Sequence, residues 1–352
     1  MLTMRNHVAA VLDAVRTIEV RTVTGPGIGP TDLLVRVLTT GICGSDLATF
    51  HGTHPYKTAP IVLGHELCGV VEAVGQGVTD LRPGQRVCSA AFSPCGACAA
   101  CRTGAVNLCR DKANLCHRGW DGSFAEYVVL RRNMVFALPD DIDPEAGAMV
   151  EPLSIAWHAA CLPGDLRGRS VAVLGSGSIG LSCALVARQR SARRVVCTDL
   201  GPGKAVLAAH AGADGYVDAA GGGAVRGVLS HLPGGADVTF VASGHPGVLD
   251  EACAVTRPGG EVVVVSYFSG PQTCSVNPMV SAELTVRFSA LSTASDFAAV
   301  ISRLASGAID PVPLITHRFP LTRAAEAMRV LDRGPGVVGK VMLHCAGEGG
   351  ER

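Results

Sequence analysis

The chain has 352 residues, of which 48% are hydrophobic and 17% are charged, and this composition excludes disordered and collagen-like proteins. Its length allows two substantial domains, because single hydrophobic cores rarely grow far beyond about 250 residues. Thirty lysine and arginine residues balance thirty aspartate and glutamate residues without a dense basic stripe, so we expect a small-molecule partner and no nucleic acid.

The sequence shows no pattern of a secretory signal or a membrane anchor. Its beginning, MLTMRNHVAAVLDAV, holds one short apolar run that Asp13 interrupts. Later apolar runs, such as 262–265, are far shorter than the roughly 20 residues that cross a bilayer. We therefore expect a cytoplasmic protein without a membrane partner, whose cysteines bind metal, act in catalysis or lie buried rather than form disulfides.

Short segments of alternating apolar and polar residues predict β-strands in the first part of the chain. They lie at 8–12, 18–23, 33–39, 70–73, 86–88 and 124–130, and Gly and Pro residues separate them. We predict hairpins or a small barrel here, and hence a first domain that is mostly β.

From residue 170 the sequence alternates strand, Gly-rich turn and helix. The segments SVAVLG, IGLSCALVARQ, RVVCTDL and KAVLAAHAG follow one another, and DVTFVASG and GGEVVVVSY come later. Buried apolar strands between amphipathic helices predict βαβ units and a parallel sheet that helices cover on both faces. A helix at 296–305 and a final strand at 340–343 are expected to return to the first domain, so the predicted fold class is α/β.

Four cysteines share one short segment, CGACAACRTGAVNLC at 95–109. Four thiolates can surround one tetrahedral zinc ion, and such a closed site is structural because no position remains for substrate. The alternatives are two disulfides or unpaired buried thiols. We predict a structural zinc bound by Cys95, Cys98, Cys101 and Cys109, and we expect most other cysteines to be small core residues.

A second metal site is predicted from GICGSDL at 41–47, GHELCGVVEAVGQGV at 64–78 and MVEPLS at 149–154. Cys43, His65 and a carboxylate from Glu66 or Glu151 form a mixed set of three protein ligands. This is the composition of a catalytic zinc that keeps one position open. Any one of these residues alone would more often be an ordinary core or surface residue.

The motif GSGSIG at 175–180 indicates a dinucleotide site. It follows a predicted strand, opens a predicted helix and precedes Asp199 by about 20 residues, as the dinucleotide fingerprint requires. Asp199 would accept hydrogen bonds from the adenosine ribose, which favours NAD over NADP, and its alternative role is an ordinary turn acid that caps the next helix. The residues expected to bind the cofactor are Gly175, Gly177, Ser178, Ile179, Gly180, Asp199 and, at the carboxyl ends of later strands, Ala242 and Ser266.

An ordered series of motifs resembles one enzyme family. The pattern GHE-x2-G-x5-G-x2-V is matched by Gly64, His65, Glu66, Gly69, Gly75 and Val78. CGSD at 43, the cysteine segment at 95, DGSFAEY at 121, EPLS at 151, GSGSIG at 175 and GKVML at 339 match as well. Over almost its whole length the sequence resembles the zinc-containing medium-chain alcohol and polyol dehydrogenases. Glu151 stands where the alcohol dehydrogenases have a third Cys ligand, which resembles the sorbitol, threonine and aminocyclitol dehydrogenase branch.

The resemblance implies a GroES-like β-barrel catalytic domain at 1–153 and 289–352. It also implies a Rossmann domain, with a doubly wound parallel sheet, at 154–288, and an active site in the cleft between the two domains. The implied cofactors are NAD and two zinc ions per chain, one catalytic and one structural. Relatives form dimers or tetramers, so a homo-oligomer is expected.

The resemblance assigns roles around the catalytic zinc. It implies that Cys43 and His65 bind the ion and that Glu66 or Glu151 completes the set. It implies that Asp46 orients His65, as imidazole ligands of metals generally require.

Further residues acquire expected roles in the same way. Ser45 matches the hydroxyl that takes the proton of the substrate. Ala48 replaces the His that finishes this proton relay in many relatives, so His51 or water would have to substitute. Lys204 and Lys340 resemble the basic residues that meet the cofactor ribose and the pyrophosphate.

Together these features predict a zinc-dependent oxidoreductase that transfers a hydride between NAD and a polar secondary alcohol, such as a polyol, cyclitol, amino alcohol or sugar. Zinc favours loss of the hydroxyl proton, and an alkoxide readily gives up a hydride. One alternative is a dehydrogenase or reductase of a simple alcohol or aldehyde in a biosynthetic pathway. Another is a non-catalytic structural relative, which should have lost Cys43, His65 or the zinc segment.

Overall fold

The computed structural model describes residues 6–334 and 336–345. The chain divides into two compact units, with divisions between residues 151 and 152 and between residues 296 and 297. The domain limits predicted from the sequence, at 153/154 and 288/289, stay a prediction.

The part of the chain up to residue 148 forms short strands and short helices. In chain order these are β1 (His7–Ala14), β2 (Thr17–Val23), β3 (Asp32–Gly41), α1 (Gly44–Phe50), β4 (Ile61–Val62), β5 (Glu66–Val74), β6 (Arg86–Ser89), β7 (Phe92–Ser93), α2 (Ala99–Arg102), β8 (Ala113–Asn114), β9 (Tyr127–Arg131), β10 (Val135–Ala137) and α3 (Pro144–Ala148). Each segment predicted as a strand in this part overlaps one of these strands.

The middle of the chain alternates strands and helices. In chain order these are α4 (Val150–Cys161), β11 (Ser170–Leu174), α5 (Ser178–Gln189), β12 (Arg194–Asp199), α6 (Ala205–His210), β13 (Gly215–Asp218), α7 (Ala224–His231), β14 (Ala236–Val241), α8 (Val248–Val255), β15 (Thr256–Val264), α9 (Val276–Ser281) and β16 (Thr285–Phe288). The last elements are α10 (Ala294–Ala305), β17 (Ile315–Pro320), α11 (Ala324–Arg333) and β18 (Lys340–His344). Within the described ranges, none of these helices is long and apolar enough to span a membrane.

The first unit is built from mostly antiparallel sheets. One sheet has the strand order β2-β1-β4, and a seven-stranded sheet has the order β10-β6-β5-β3-β18-β17 with β9 paired to β3. Leu33, Val35 and Val37 of β3 and Leu67 of β5 are fully buried in its core. Burying a side chain of this size stabilises a fold by about 1.5–3 kcal/mol. The apolar alternation that predicts these strands therefore supplies the core that holds them together.

The second unit is a doubly wound parallel sheet with the strand order β13-β12-β11-β14-β15-β16. Val228 of α7 and Val248 of α8 are completely buried against Leu174 and Val241 of the central strands. The strand order reverses between β11 and β14, and a sheet of this kind binds ligands beyond the carboxyl ends of its strands at that reversal. The predicted α/β class, with a Rossmann sheet in one unit and mostly β structure in the other, is confirmed.

Candidate functional site

Strand register brings the candidate catalytic residues together. Gly41, at the end of β3, pairs with Glu66 at the start of the antiparallel strand β5. Cys43 lies two residues beyond Gly41, and His65 immediately precedes Glu66. A Cβ on Gly41 would overlap the carboxylate of Glu66, so this close approach of the two strands requires glycine. Residues from distant parts of the sequence therefore meet at one end of the sheet.

The ligand atoms of Cys43, His65 and Glu66 all lie within 4.8 Å of one another. His65 is 5% exposed and Glu66 1% exposed, whereas Cys43 is partly exposed. Nδ1 of His65 is buried and makes no hydrogen bond to any described residue. A buried polar atom without a partner is unusual in a folded protein. A thiol, an imidazole and a carboxylate in this arrangement fit the ligand preference of zinc.

Asp46 lies behind this group and is completely buried. Its carboxylate accepts hydrogen bonds from the amide of Cys43 at 3.0 Å and the amide of Gly64 at 3.3 Å. One carboxylate oxygen lies 3.6 Å from Nδ1 of His65. Burial acts to raise the pKa of Asp46, but His65, Lys57 and the Cys43 amide outweigh it and lower the pKa to about 2. An ionised Asp46 therefore ties together the two segments that carry Cys43 and His65.

Glu66 forms an ion pair with Lys340, which begins β18. Nζ of Lys340 lies 2.6 Å and 2.9 Å from the two carboxylate oxygens of Glu66 and donates to the carbonyl of Ile42 at 3.3 Å. The ammonium expected to meet the cofactor pyrophosphate thus lies among the candidate zinc ligands in this structure. Its role toward the pyrophosphate stays a prediction.

Glu151 is also buried, but it lies outside the group of ligand atoms within 4.8 Å. Burial raises the pKa of Glu151 to about 7, although His65 acts to lower it. Glu66 also acts to raise the pKa of Glu151, whereas Lys340 acts to lower it. The structure therefore favours Glu66 as the nearer carboxylate and places Glu151 in the surrounding layer.

Beyond Ser45, the expected proton relay lacks the histidine of many relatives, because Ala48 stands at that position. Ser45 lies in the first turn of α1 with a partly exposed side chain, and Ala48 follows on the same helix. Nδ1 of His51 lies 2.9 Å from a guanidinium nitrogen of Arg16, and Nε2 lies 2.9 Å from the carboxylate of Asp332. Both ring nitrogens of His51 are therefore occupied.

The four clustered cysteines converge as the sequence predicts. Their sulfur atoms lie within 4.8 Å of one another, with Cys98 and Cys101 3.5 Å apart and Cys95 and Cys101 3.9 Å apart. These separations are far longer than a disulfide bond of about 2.05 Å, and all four cysteines are free thiols. The backbone amides of Ala97 and Cys98 lower the pKa of Cys95 to about 6. Four converging sulfurs fit one tetrahedral zinc ion.

The Gly-rich turn of the second unit links β11 to α5. Gly175 has a positive φ of 99°, a backbone conformation that favours glycine. A Cβ on Gly180 would overlap the carbonyl oxygen of Gly175, so the helix can approach the strand only with glycine here. Gly177 caps the amino end of α5, and Ser178 and Ile179 form its first turn. This backbone suits a pyrophosphate, because the free amides at a helix amino end attract anions.

Asp199 ends β12 beside this turn. Its carboxylate accepts hydrogen bonds from the amides of Ser176 at 2.8 Å and Leu200 at 2.7 Å. Nζ of Lys204 lies 3.8 Å from the same carboxylate and donates to the carbonyl of Ser176. Carboxylate oxygens have several acceptor positions, so Asp199 can still accept ribose hydroxyls.

Ala242 and Ser266 follow the carboxyl ends of β14 and β15. A Cβ on Gly180 would lie 3.2 Å from the Cβ of Ala242, so α5 packs directly against this strand end. The hydroxyl of Ser266 donates to the carbonyl of Ser243 at 2.8 Å. The residues expected to bind the cofactor within the second unit thus gather at one edge of its sheet.

Sequence analysis missed Lys57, a buried residue whose charge acts to lower the pKa values of Asp46 and His65. It lies in the segment HPYKTAP, whose prolines and polar residues are typical of an exposed loop. No spacing or periodicity in that segment indicates burial, so only the folded structure reveals this residue.

Comparison with known proteins places the whole chain in one family. Residues 29–140 match the family described as "Alcohol dehydrogenase GroES-like domain", and residues 178–306 match the family described as "Zinc-binding dehydrogenase". The chain is 33% identical to L-idonate 5-dehydrogenase of Vitis vinifera over 96% of this chain and 94% of that protein. It is 35% identical to sorbitol dehydrogenase of Gallus gallus, with 91% of each chain covered.

A solved structure shows the same similarity. It is a putative zinc-binding dehydrogenase of Sinorhizobium meliloti 1021 bound to NADP, with a TM-score of 0.88, 34% identity, and coverage of 97% of this chain and 100% of that one. These matches confirm the predicted enzyme class, with zinc, a nicotinamide cofactor and a small-molecule alcohol as substrate. The chain belongs to the zinc-containing medium-chain dehydrogenases, within their polyol dehydrogenase branch.

Proposed function

We propose that this enzyme uses NAD and two zinc ions per chain to oxidise a polar secondary alcohol to its ketone, and to catalyse the reverse reaction. The observation that carries the proposal is the convergence of Cys43, His65 and Glu66 within 4.8 Å in a largely buried site. The substrate class is a polyol, cyclitol, amino alcohol or sugar. The relatives named for L-idonate and sorbitol support a polyhydroxylated substrate.

The residues of the first unit divide the catalytic tasks. Cys43, His65 and Glu66 would hold the catalytic zinc, and Asp46 would keep the imidazole of His65 in position. Ser45 would relay the hydroxyl proton of the substrate, passing its own proton to water as it accepts this one. When bound, zinc supplies Lewis acidity that favours loss of this proton, and the nicotinamide supplies a hydride acceptor.

The preference for NAD rests on Asp199. A carboxylate at the end of β12 accepts hydrogen bonds from ribose hydroxyls and repels a phosphate on the 2′ position. Lys204 would stand beside the ribose, and the turn at Gly175, Gly177 and Gly180 would accommodate the pyrophosphate. Ser178, Ile179, Ala242 and Ser266 complete the proposed cofactor contacts.

A second zinc ion, bound by the four clustered cysteines, would hold the 95–109 segment in its fold. Only one of the four, Cys109, is buried, so little apolar burial stabilises this segment. The expected cytoplasmic location, the lack of a nucleic acid partner and the homo-oligomeric state stay predictions.

The test is an assay of the purified, zinc-loaded enzyme with a panel of polyols, cyclitols and amino alcohols. We expect formation of NADH with at least one member and weaker activity with NADP. A chelator should abolish the activity and added zinc should restore it, whereas Cys43→Ser should stay inactive after zinc is added. Activity restricted to simple primary alcohols or aldehydes, or activity that survives removal of zinc, would contradict the proposal.

A further inference from the structure

A cavity of about 640 Å³ lies in the first unit, between the turn that joins β1 to β2, the end of α1 and the helix α11. Its volume is within the range of roughly 300–1,000 Å³ that is typical of small-molecule sites. None of its described lining residues is a candidate zinc ligand or a candidate cofactor residue. The cavity is therefore a candidate binding site of its own.

Part of the cavity wall is apolar. Phe50, the last residue of α1, is 6% exposed, and Ile18, Ala325 and Val330 are half-buried. A ligand with an aliphatic or aromatic body would remove this apolar surface from water, which is favourable. The wall therefore suits a ligand that is partly apolar.

Three guanidinium groups also line the cavity. They belong to Arg16, Arg329 and Arg333, and all three residues are exposed. Among the residues that the structure describes, no carboxylate oxygen lies within 4.0 Å of the guanidinium nitrogens of Arg16 or Arg329. Since a guanidinium has five N–H donors, both side chains keep donors that can bind an anion.

The two carboxylates of the cavity wall already have partners. Glu326 accepts hydrogen bonds from Arg323 at both of its oxygens. The carboxylate of Asp332 lies 2.9 Å from Nε2 of His51 and 3.5 Å from Nε of Arg333. Three guanidinium groups and two engaged carboxylates leave the cavity wall with an excess of positive charge.

Arg16 is held in position through its backbone and its side chain. Its φ of 64° is left-handed, which is uncommon for a residue other than glycine, and its amide donates to the carbonyl of Phe50 at 2.8 Å. One guanidinium nitrogen lies 2.9 Å from Nδ1 of His51. A guanidinium has no acceptor, so Nδ1 accepts this hydrogen bond and the imidazole is neutral in the contact. The guanidinium is therefore oriented before a ligand binds, which lowers the entropy cost of binding, and His51 does not compensate its charge.

We propose that this cavity binds a small organic anion with an apolar body, whose carboxylate or phosphate group contacts Arg16 and Arg329. Guanidinium groups form paired hydrogen bonds with both kinds of oxyanion, and these charge-assisted bonds are about twice as strong as neutral ones. The apolar body would lie against the wall at Phe50 and Val330. The inference goes beyond the proposed function and does not rest on it, because it needs neither zinc nor hydride transfer.

The test is calorimetric titration of defined probes into the zinc-loaded enzyme saturated with NADH, which fills the proposed pyrophosphate site. The probes are benzoate, hexanoate and phenyl phosphate, with benzamide, hexanamide and phenol as their neutral partners. Acetate and inorganic phosphate supply the anionic group without the apolar body. We expect at least one organic anion to have a Kd at least about tenfold lower than its neutral partner and than the anionic group alone. The carboxylate and phosphate arms show which group the cavity prefers.

Two variants remove the proposed contacts. Arg16→Asn removes the charge and introduces a residue that tolerates the left-handed backbone. Arg329→Gln removes a charge from α11 and introduces a good helix former. Each should raise the Kd of the anion at least about fivefold and leave the Kd of the neutral partner unchanged. Arg226→Gln, which removes an exposed charge from α7 of the second unit, is the matched control and should keep the wild-type Kd.

A third variant distinguishes the cavity from the catalytic zinc, because zinc also binds carboxylates. Cys43→Ser should keep the wild-type Kd for the anion, although we expect it to lose that ion. Binding that disappears in Cys43→Ser would overturn the proposal, since the anion would then occupy the catalytic site. No measurable binding of any organic anion, equal Kd values within every pair, or Kd values that Arg16→Asn and Arg329→Gln leave unchanged would overturn it as well.

Discussion

Lys340 and Glu66 form a bidentate ion pair in which each side chain is only 1% exposed. The contact joins the starts of β18 and β5, which lie 274 residues apart in the sequence. Removing one member of a buried pair leaves the other charge without water or partner, so such pairs are far more sensitive to single substitution than surface pairs.

Lys340→Met should destabilise the zinc-depleted enzyme by about 3 kcal/mol or more, because Glu66 then keeps a buried charge without a partner. This corresponds to a fall in Tm of roughly 6 °C or more for a unit of this size, measured by thermal unfolding. The double variant Lys340→Met/Glu66→Gln removes both charges and should regain more than half of the loss. A Tm within about 2 °C of the wild-type value for Lys340→Met would show that the pair is not a source of stability.

The number of zinc ions per chain should distinguish the structural zinc site from the catalytic one. The wild-type chain should contain about two zinc ions, and Cys98→Ser should reduce this to about one, because three thiolates leave the tetrahedral site incomplete. Mass spectrometry of the metal in purified protein measures the ratio. Cys253→Ser, which changes a cysteine of α8 outside both clusters, is the control and should keep both ions. Retention of two ions by Cys98→Ser would refute the structural site.

Asp199→Ala should weaken the preference for NAD. The variant loses the carboxylate that accepts ribose hydroxyls and repels a 2′-phosphate, and a hydrogen bond to a charged group contributes about 1.5–3 kcal/mol. We expect the ratio of kcat/KM for NAD over NADP to fall at least about tenfold.

Asp214→Asn is a matched control for this experiment. Asp214 accepts a hydrogen bond from the amide of Val195, near the amino end of the same strand β12. It lies at the edge of the sheet opposite Asp199, so the cofactor ratio should stay at the wild-type value. If both variants change the ratio equally, the preference does not arise from Asp199.

Substitution of Ser45 should lower kcat far more than substitution of His51. Ser45→Ala should lower kcat about a hundredfold, since a positioned proton acceptor contributes about 10²–10⁴ to the rate. His51→Gln should change kcat by less than about threefold, because Arg16 and Asp332 already occupy both ring nitrogens. Steady-state kinetics with one polyol measures both values. A hundredfold loss in His51→Gln would place His51 in the relay.

Much of the fold could be predicted from short stretches of sequence. The alternation in β3 and β5 indicated strands, and the Gly-rich turn between β11 and α5 indicated a dinucleotide site. Both signals are local, since side-chain alternation and backbone freedom act within a few neighbouring residues. The four cysteines at 95–109 are local in the same sense, because their spacing alone allows them to surround one ion.

The sequence could not show whether Glu66 or Glu151 is the third candidate ligand of the catalytic zinc. Both are acidic and both lie in recognisable motifs, and their spacing in the sequence does not show which of them binds zinc. The pairing of Gly41 with Glu66 in the β3–β5 register brings Glu66 among the candidate ligands, whereas Glu151 lies outside that group. Register depends on how strands pack across the sheet, which no local pattern encodes.

By itself the sequence determined the enzyme family, the two kinds of sheet and the residue types at both candidate metal sites. The tertiary structure alone decided that Lys340 pairs with Glu66, that His51 contacts Arg16 and Asp332, and that Lys57 is buried. The physical reason is that electrostatic partnership and desolvation depend on which side chains meet across distant strands and loops. Residue type and spacing predict what a group can do, and the fold determines what it contacts.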